Sequence, residues 1–112
     1  MKSYSVIRTL ALAISVIAFC AVFGSRAFAE DAAVKIDNFT FNPQALTVHV
    51  GTAVTFTNND DIPPVVAEKN NKFRSPALDT GQKFTQKFTQ AGTVDYYCAI
   101  HPHMVGKIIV VP

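Results

Sequence analysis

Past Ala29 the chain holds a single cysteine, Cys98, which excludes an internal disulfide in everything that follows. An odd thiol in an exported protein is a liability unless it is buried, reactive or metal-bound. No segment there keeps a 3.6-residue apolar period, which excludes a helical domain, and no apolar run is long enough for a second membrane span. Basic charge is scarce as well. Residues 30–112 carry seven Lys and Arg against eight Asp and Glu, a formal charge of −1, so the +2 of the whole chain comes from its first segment. That balance argues against nucleic acid as a partner. Paired catalytic carboxylates, a Ser/His/Asp arrangement and a second histidine-rich cluster are all missing, so an enzyme is not expected. Internal repeats, low-complexity tracts and an interdomain linker are missing too.

What the chain does have begins with a leader. Lys2 and Arg8 precede an uncharged apolar run from Leu10 to Gly24, and Ala27-Phe28-Ala29 stands before two acids. This is the layout of a secretory signal peptide over residues 1–29. The run is shorter than the roughly 20 residues a spanning helix needs. Cys20 follows the bulky Phe19 inside the run, which disfavours a lipid anchor there. Cleavage leaves residues 30–112 as one small domain, long enough to close a single core and free of the membrane.

Within that domain apolar and polar residues alternate. Leu46, Val48 and Val50 share one side, and the alternation resumes after Gly51 with Val54 and Phe56. It returns in Phe84, Gln86 and Phe88, in Val94, Tyr96 and Cys98, and in Ile108 and Val110, with Val34 to Ile36 and Val65 to Ala67 as further short pieces. A period of two marks half-buried strands. Asn42-Pro43, Asn58-Asn59-Asp60-Asp61, Asn70-Asn71, Asp79-Thr80-Gly81 and Ala91-Gly92 punctuate them as turns. The pattern predicts an all-β sandwich or barrel. His49 lies opposite Val48 and Val50 and is expected to face solvent. The Lys69, Lys72 and Arg74 group reads as a solvated loop.

The chemistry concentrates in Cys98-Ala99-Ile100-His101-Pro102-His103-Met104. Taken singly, these residues have ordinary explanations: a small buried hydrophobe, a surface imidazole and a core filler. Taken together, a thiolate, an imidazole nitrogen and a thioether at three-residue intervals make a soft donor set, which selects copper over magnesium, calcium or manganese. Pro102 stiffens the loop and Gly106 is expected to turn it back into a strand near Lys107.

"GTVDYYCAIHPHMVGKIIVV" resembles the C-terminal ligand loop of the cupredoxins, the type 1 blue copper proteins, and its short spacing is most similar to the small amicyanin-like and plastocyanin-like members. "FNPQALTVHVGTAVTFTNND" and "FRSPALDTGQKFTQKFTQAGT" extend the likeness over nearly all of residues 30–112. The resemblance implies a cupredoxin-like Greek-key β-sandwich of seven to eight strands. It further implies a monomer in the periplasm that holds one copper ion, Cu(I) or Cu(II), and exchanges single electrons with a transient redox partner protein. By position it assigns Cys98 the thiolate bond, His101 the partly exposed imidazole and Met104 the weak axial thioether. It also exposes a gap. Where the family places its first histidine, after the "TNND" stretch, this chain has Pro64, which carries no donor atom on its side chain, and Val65 replaces a polar neighbour that ties the two ligand loops. His103, His49, water or an external imidazole remain as ways to fill that position. Two alternative functions follow: a Cu(I) carrier or buffer exchanging metal with a copper donor or acceptor protein, and a metal-free interaction domain on the same fold.

Overall fold

The computed structural model describes residues 31–112, and the leader expected over residues 1–29 lies outside the described residues. Eight strands follow in order: β1 (Asp31–Asp37), β2 (Thr40–Asn42), β3 (Ala45–His49), β4 (Thr52–Asn58), β5 (Val66–Glu68), β6 (Lys83–Phe88), β7 (Gly92–Cys98) and β8 (His101–Val111). They form two four-stranded sheets with orders β2-β1-β4-β6 and β3-β8-β7-β5. This is the expected β-sandwich. β1 runs parallel to β4 and β3 parallel to β8, while the remaining ladders are antiparallel.

The alternation in sequence becomes the core. Val34 and Ile36 of β1, Val54 and Phe56 of β4, Val66 of β5, and Tyr96 and Cys98 of β7 meet Ile108 and Val110 of β8 between the sheets. Burying each such apolar side chain contributes about 1.5–3 kcal/mol. His49 faces outward as expected, with Nδ1 3.1 Å from the Pro112 carbonyl oxygen.

Three local readings change. Leu46 to Phe56 reads as two half-buried strands joined by a tight turn at Gly51, but β3 and β4 belong to opposite sheets. The turn at Val50-Gly51, with Gly51 at φ 94°, carries the chain across the sandwich instead of closing a hairpin. Val50 is therefore 42% exposed and stands outside the core. Gly106 is not a turn residue either. It lies inside β8 opposite Tyr96, outside the positive-φ glycines, and is required because the Tyr96 phenol crosses directly over its Cα, where a Cβ would sit. Finally, β8 starts at His101 instead of near Lys107, because Cys98 pairs with His101 while the neighbouring Tyr97 pairs with Val105. Residues 102–104 are thus extruded from the ladder.

Tyr96 is the aromatic centre of this end of the core. Its ring meets Phe41 edge-on at 4.7 Å and Phe56 at 5.2 Å. Among the described residues its hydroxyl is the buried side-chain polar atom that lacks a hydrogen-bond partner. Burial pushes its phenol pKa well above the ordinary tyrosine value. Because an orphaned buried hydroxyl is destabilising, Tyr96→Phe is expected to stabilise the fold by about 1 kcal/mol, read as a higher urea midpoint. Below pH 10 or so the phenol is protonated in both folded and unfolded chains and adds no pH dependence. Above it, the unfolded chain ionises while the folded one resists, so stability falls as pH rises. The advantage of Tyr96→Phe should therefore widen in alkali. A variant less stable than the parent at neutral pH would show that the hydroxyl has a partner after all.

Candidate metal centre

Two segments form the end of the sandwich where β4 and β7 terminate. The first is the β4–β5 connection, Asn59 to Val65. Its backbone is fastened at several points: the Leu78 N–H donates to the Pro64 carbonyl at 2.9 Å, the Ala99 N–H donates to the Val65 carbonyl at 2.9 Å, and the Ser75 hydroxyl accepts from the Val66 N–H at 2.8 Å. The Ala99–Val65 bond joins the two loops through the backbone. That bond does not depend on the side chain at position 65, and the Val65 side chain itself offers no hydrogen-bonding group.

The second segment is the β7–β8 turn. Cys98 ends β7 as a free, buried thiol, 1% exposed. The turn Ala99-Ile100 brings His101 opposite it, and the extruded residues 102–104 return Met104 to the core, 8% exposed. His101 and His103 are both exposed. The break in the ladder separates them, with Cys98 paired to His101 and Tyr97 to Val105. His101 lines a small cavity together with Cys98, Met104, Pro64, Phe39 and Asp60, whereas His103 lines a separate depression against Phe41 and Gln44. His49 lies on β3 against Val111, in a third concavity bordered by Asp31.

The shared cavity measures about 10 Å³, close to the space one water-sized sphere occupies. A single ion fits it and little else does. The rest of its wall is three isoleucines, so the surroundings are mostly apolar, with Asp60 the one carboxylate, and that carboxylate is taken up by two backbone N–H groups. Pro64 is buried in this wall. Its side chain has no donor, it has no N–H, and its carbonyl is committed to Leu78. Among the described residues no three His, Cys, Asp or Glu side chains cluster in metal-binding geometry. One thiol, one imidazole and one thioether are the donors that converge, and two of them are sulfur. This donor set fits copper.

Asp60 and Phe39 in the same wall carried no signal in the sequence. Asp60 reads as a turn residue, and Phe39 follows the apolar run of β1 without belonging to its alternation. In the fold the Asp60 carboxylate accepts the backbone N–H groups of Asn38 at 2.7 Å and Phe39 at 2.9 Å. A larger concavity, about 630 Å³, lies elsewhere, on β7 and β8 between Lys69, Asp95, Tyr97 and Lys107. It contains no thiol or imidazole, and so the small cavity is the candidate centre.

Comparison with known proteins bears on the family of the chain. The profile of the family described as "Copper binding proteins, plastocyanin/azurin family" matches residues 29–111. Amicyanin-alpha of Methylorubrum extorquens is 33% identical over 117 residues, an alignment covering 92% of this chain and 98% of the relative. Among solved structures, a purple cupredoxin from Nitrosopumilus maritimus superposes with a TM-score of 0.67 at 36% identity, covering 72% of this chain and 100% of the other. The Cu(I) form of an amicyanin variant superposes with a TM-score of 0.69 at 30% identity, over 79% of this chain and 88% of the other.

Proposed function

Because the chain belongs to the plastocyanin/azurin family of copper-binding proteins, we propose that it is a periplasmic one-electron carrier whose copper is held by Cys98, His101 and Met104, with no histidine at position 64. On this reading residues 1–29 are a cleaved leader and residues 30–112 are the cupredoxin domain. The observation that carries the proposal is the convergence of Cys98, His101 and Met104 on one cavity whose remaining wall, at Pro64, offers no donor.

Copper, when bound, supplies the one-electron Cu(I)/Cu(II) couple, oxidised as the partner protein is reduced. The residues do the rest. Cys98 presents its sulfur from inside the core, where a buried thiolate is shielded from oxidants and from water. His101 spans the distance from that interior to the surface, so its exposed edge is the exit for the electron. Met104 closes the cavity from the core side with a weak donor that tolerates either charge state. Ile36, fully buried, keeps water from the core side of the cavity. Around His101 stand exposed apolar residues, among them Ile62 at 45%, Ile100 at 47% and Val105 at 47% exposure, with Pro102 and His103 beside them. Such a small apolar rim suits a redox partner that must release quickly.

The test is copper loading of the purified protein and of Cys98→Ser. One copper should remain after desalting and give a reversible one-electron wave in voltammetry, and both should vanish in Cys98→Ser. Copper retained without any wave would overturn electron carriage. The specific observation favouring the second reading, a Cu(I) carrier, is the count of donors: two sulfurs and one nitrogen satisfy Cu(I), which accepts two or three soft ligands. Rapid handover to a Cu(I) chelator, with no wave, would establish that reading instead.

A further inference from the structure

Phe39 is the conspicuous outlier of the fold. It has φ 58°, next to Asn38 at φ 53°, and a positive φ is rare for a bulky aromatic residue. Strain of this kind persists only where surrounding structure enforces it, and it clusters at functional sites. Core packing does not repay it, since Phe39 is 48% exposed.

What enforces it is one carboxylate. Successive backbone N–H groups in a turn can point into a common hollow that suits an anion. Here the hollow is filled from within the chain: Asp60 Oδ1 accepts from Asn38 and Oδ2 from Phe39. Asp60 is itself anchored. Its N–H donates to Asn58 Oδ1 at 2.9 Å and its carbonyl accepts from the Thr80 hydroxyl at 2.6 Å. Asn58, fully buried, donates through Nδ2 to the Leu78 carbonyl at 2.8 Å. A rigid chain of contacts thus runs from the end of β4 to the β1–β2 turn.

The turn delivers a ring. Phe39 lies 5.4 Å from the His101 imidazole between centroids, tilted by 57°, within the range of favourable aromatic pairs. Both Phe39 and Asp60 line the cavity of Cys98, His101 and Met104. We propose that Asp60 and Phe39 are positioning residues for His101: the carboxylate pins the left-handed turn, and the turn lays the phenyl ring against the imidazole to set its plane and cover one face from water. An exposed histidine at the first residue of a strand otherwise has little to limit its side-chain rotation. The functional part of this inference rests on His101 being a copper ligand, while the contact itself does not.

The experiment uses Phe39→Gly, Phe39→Tyr and Asp60→Asn. Glycine removes the ring yet adopts the positive φ without strain, which protects folding. Tyrosine keeps the ring. Asparagine keeps the shape but loses one of the two acceptors. In the metal-free protein, the His101 ring protons should show an aromatic ring-current displacement and cross-relaxation to Phe39. Both should be lost in Phe39→Gly, weakened in Asp60→Asn and preserved in Phe39→Tyr. In the copper-loaded protein the reduction potential should shift in Phe39→Gly and Asp60→Asn and stay at the parental value in Phe39→Tyr. A purely structural role would change thermal stability and leave these readouts alone. Unchanged His101 resonances in metal-free Phe39→Gly would overturn the proposal. If the parent protein takes up no copper, the functional reading fails, and the metal-free measurement alone decides the contact.

Discussion

Replacing Pro64 by histidine is expected to raise Cu(II) affinity by about 100-fold or more and to bring up an intense thiolate-to-copper absorption that the parent lacks. Loss of a mere outer-shell partner changes metal affinity by about 10–100-fold, and a whole nitrogen ligand should exceed that. The backbone is already in place: residue 64 accepts from Leu78, and residue 65 accepts from Ala99. Neither bond depends on the proline ring. A side chain at this position already forms part of the cavity wall with Cys98 and His101, so the new imidazole would complete the two-histidine, one-cysteine plane typical of blue copper sites. The swap has a cost in the absence of metal. A cavity of about 10 Å³ has no room for an added ring, and overpacking of this kind costs about 1–3 kcal/mol. The metal-free variant should unfold at lower urea than the parent, and copper should more than restore it. Competition titrations and visible spectra of the two proteins side by side check the claim. Equal colour in both would mean that some other group completes the parental site.

Gly106→Ala is expected to destabilise the fold by about 3 kcal/mol, the upper end of what overpacking costs. The added methyl would meet Cζ and Oη of Tyr96. That ring cannot swing aside, because Phe41 and Phe56 hold it edge-on from two directions. Nor should Tyr96→Phe rescue the variant, since the ring carbon collides as well as the oxygen. The damage would also reach the candidate centre. Tyr96 pairs with Gly106 one step before the ladder breaks between Tyr97 and Cys98, so any shift of β8 there moves Met104 relative to Cys98. Urea midpoints of the two single variants and the double variant measure the first effect, and copper retention measures the second. A Gly106→Ala protein as stable as its parent would show that the close crossing of Tyr96 is not what requires glycine.

The glycine illustrates where local reading stops. Gly106 stands between an apolar strand and a loop, and a turn is what such a position suggests. Only the opposite strand, contributing Tyr96, reveals that the missing side chain is what matters. Pro64 is the reverse case. Its lack of a donor is a property of the residue type, visible without any coordinates, and the fold adds that its carbonyl is occupied elsewhere.

Residue chemistry and short-range period were enough to determine the all-β class and the strand through Val94, Tyr96 and Cys98, and to single out Cys98, His101 and Met104 within seven residues as soft donors. These are local properties, carried by neighbours along the chain. Tertiary structure alone decided that β3 and β4 lie in opposite sheets, that His101 and not His103 faces the cavity, and that Asp60 holds Phe39 against an imidazole 62 residues further along. A period of two is the same whichever strand becomes the partner. Pairing, crossing and contact across the sandwich are set by which long-range packing buries the most apolar surface while leaving the fewest polar groups unpaired.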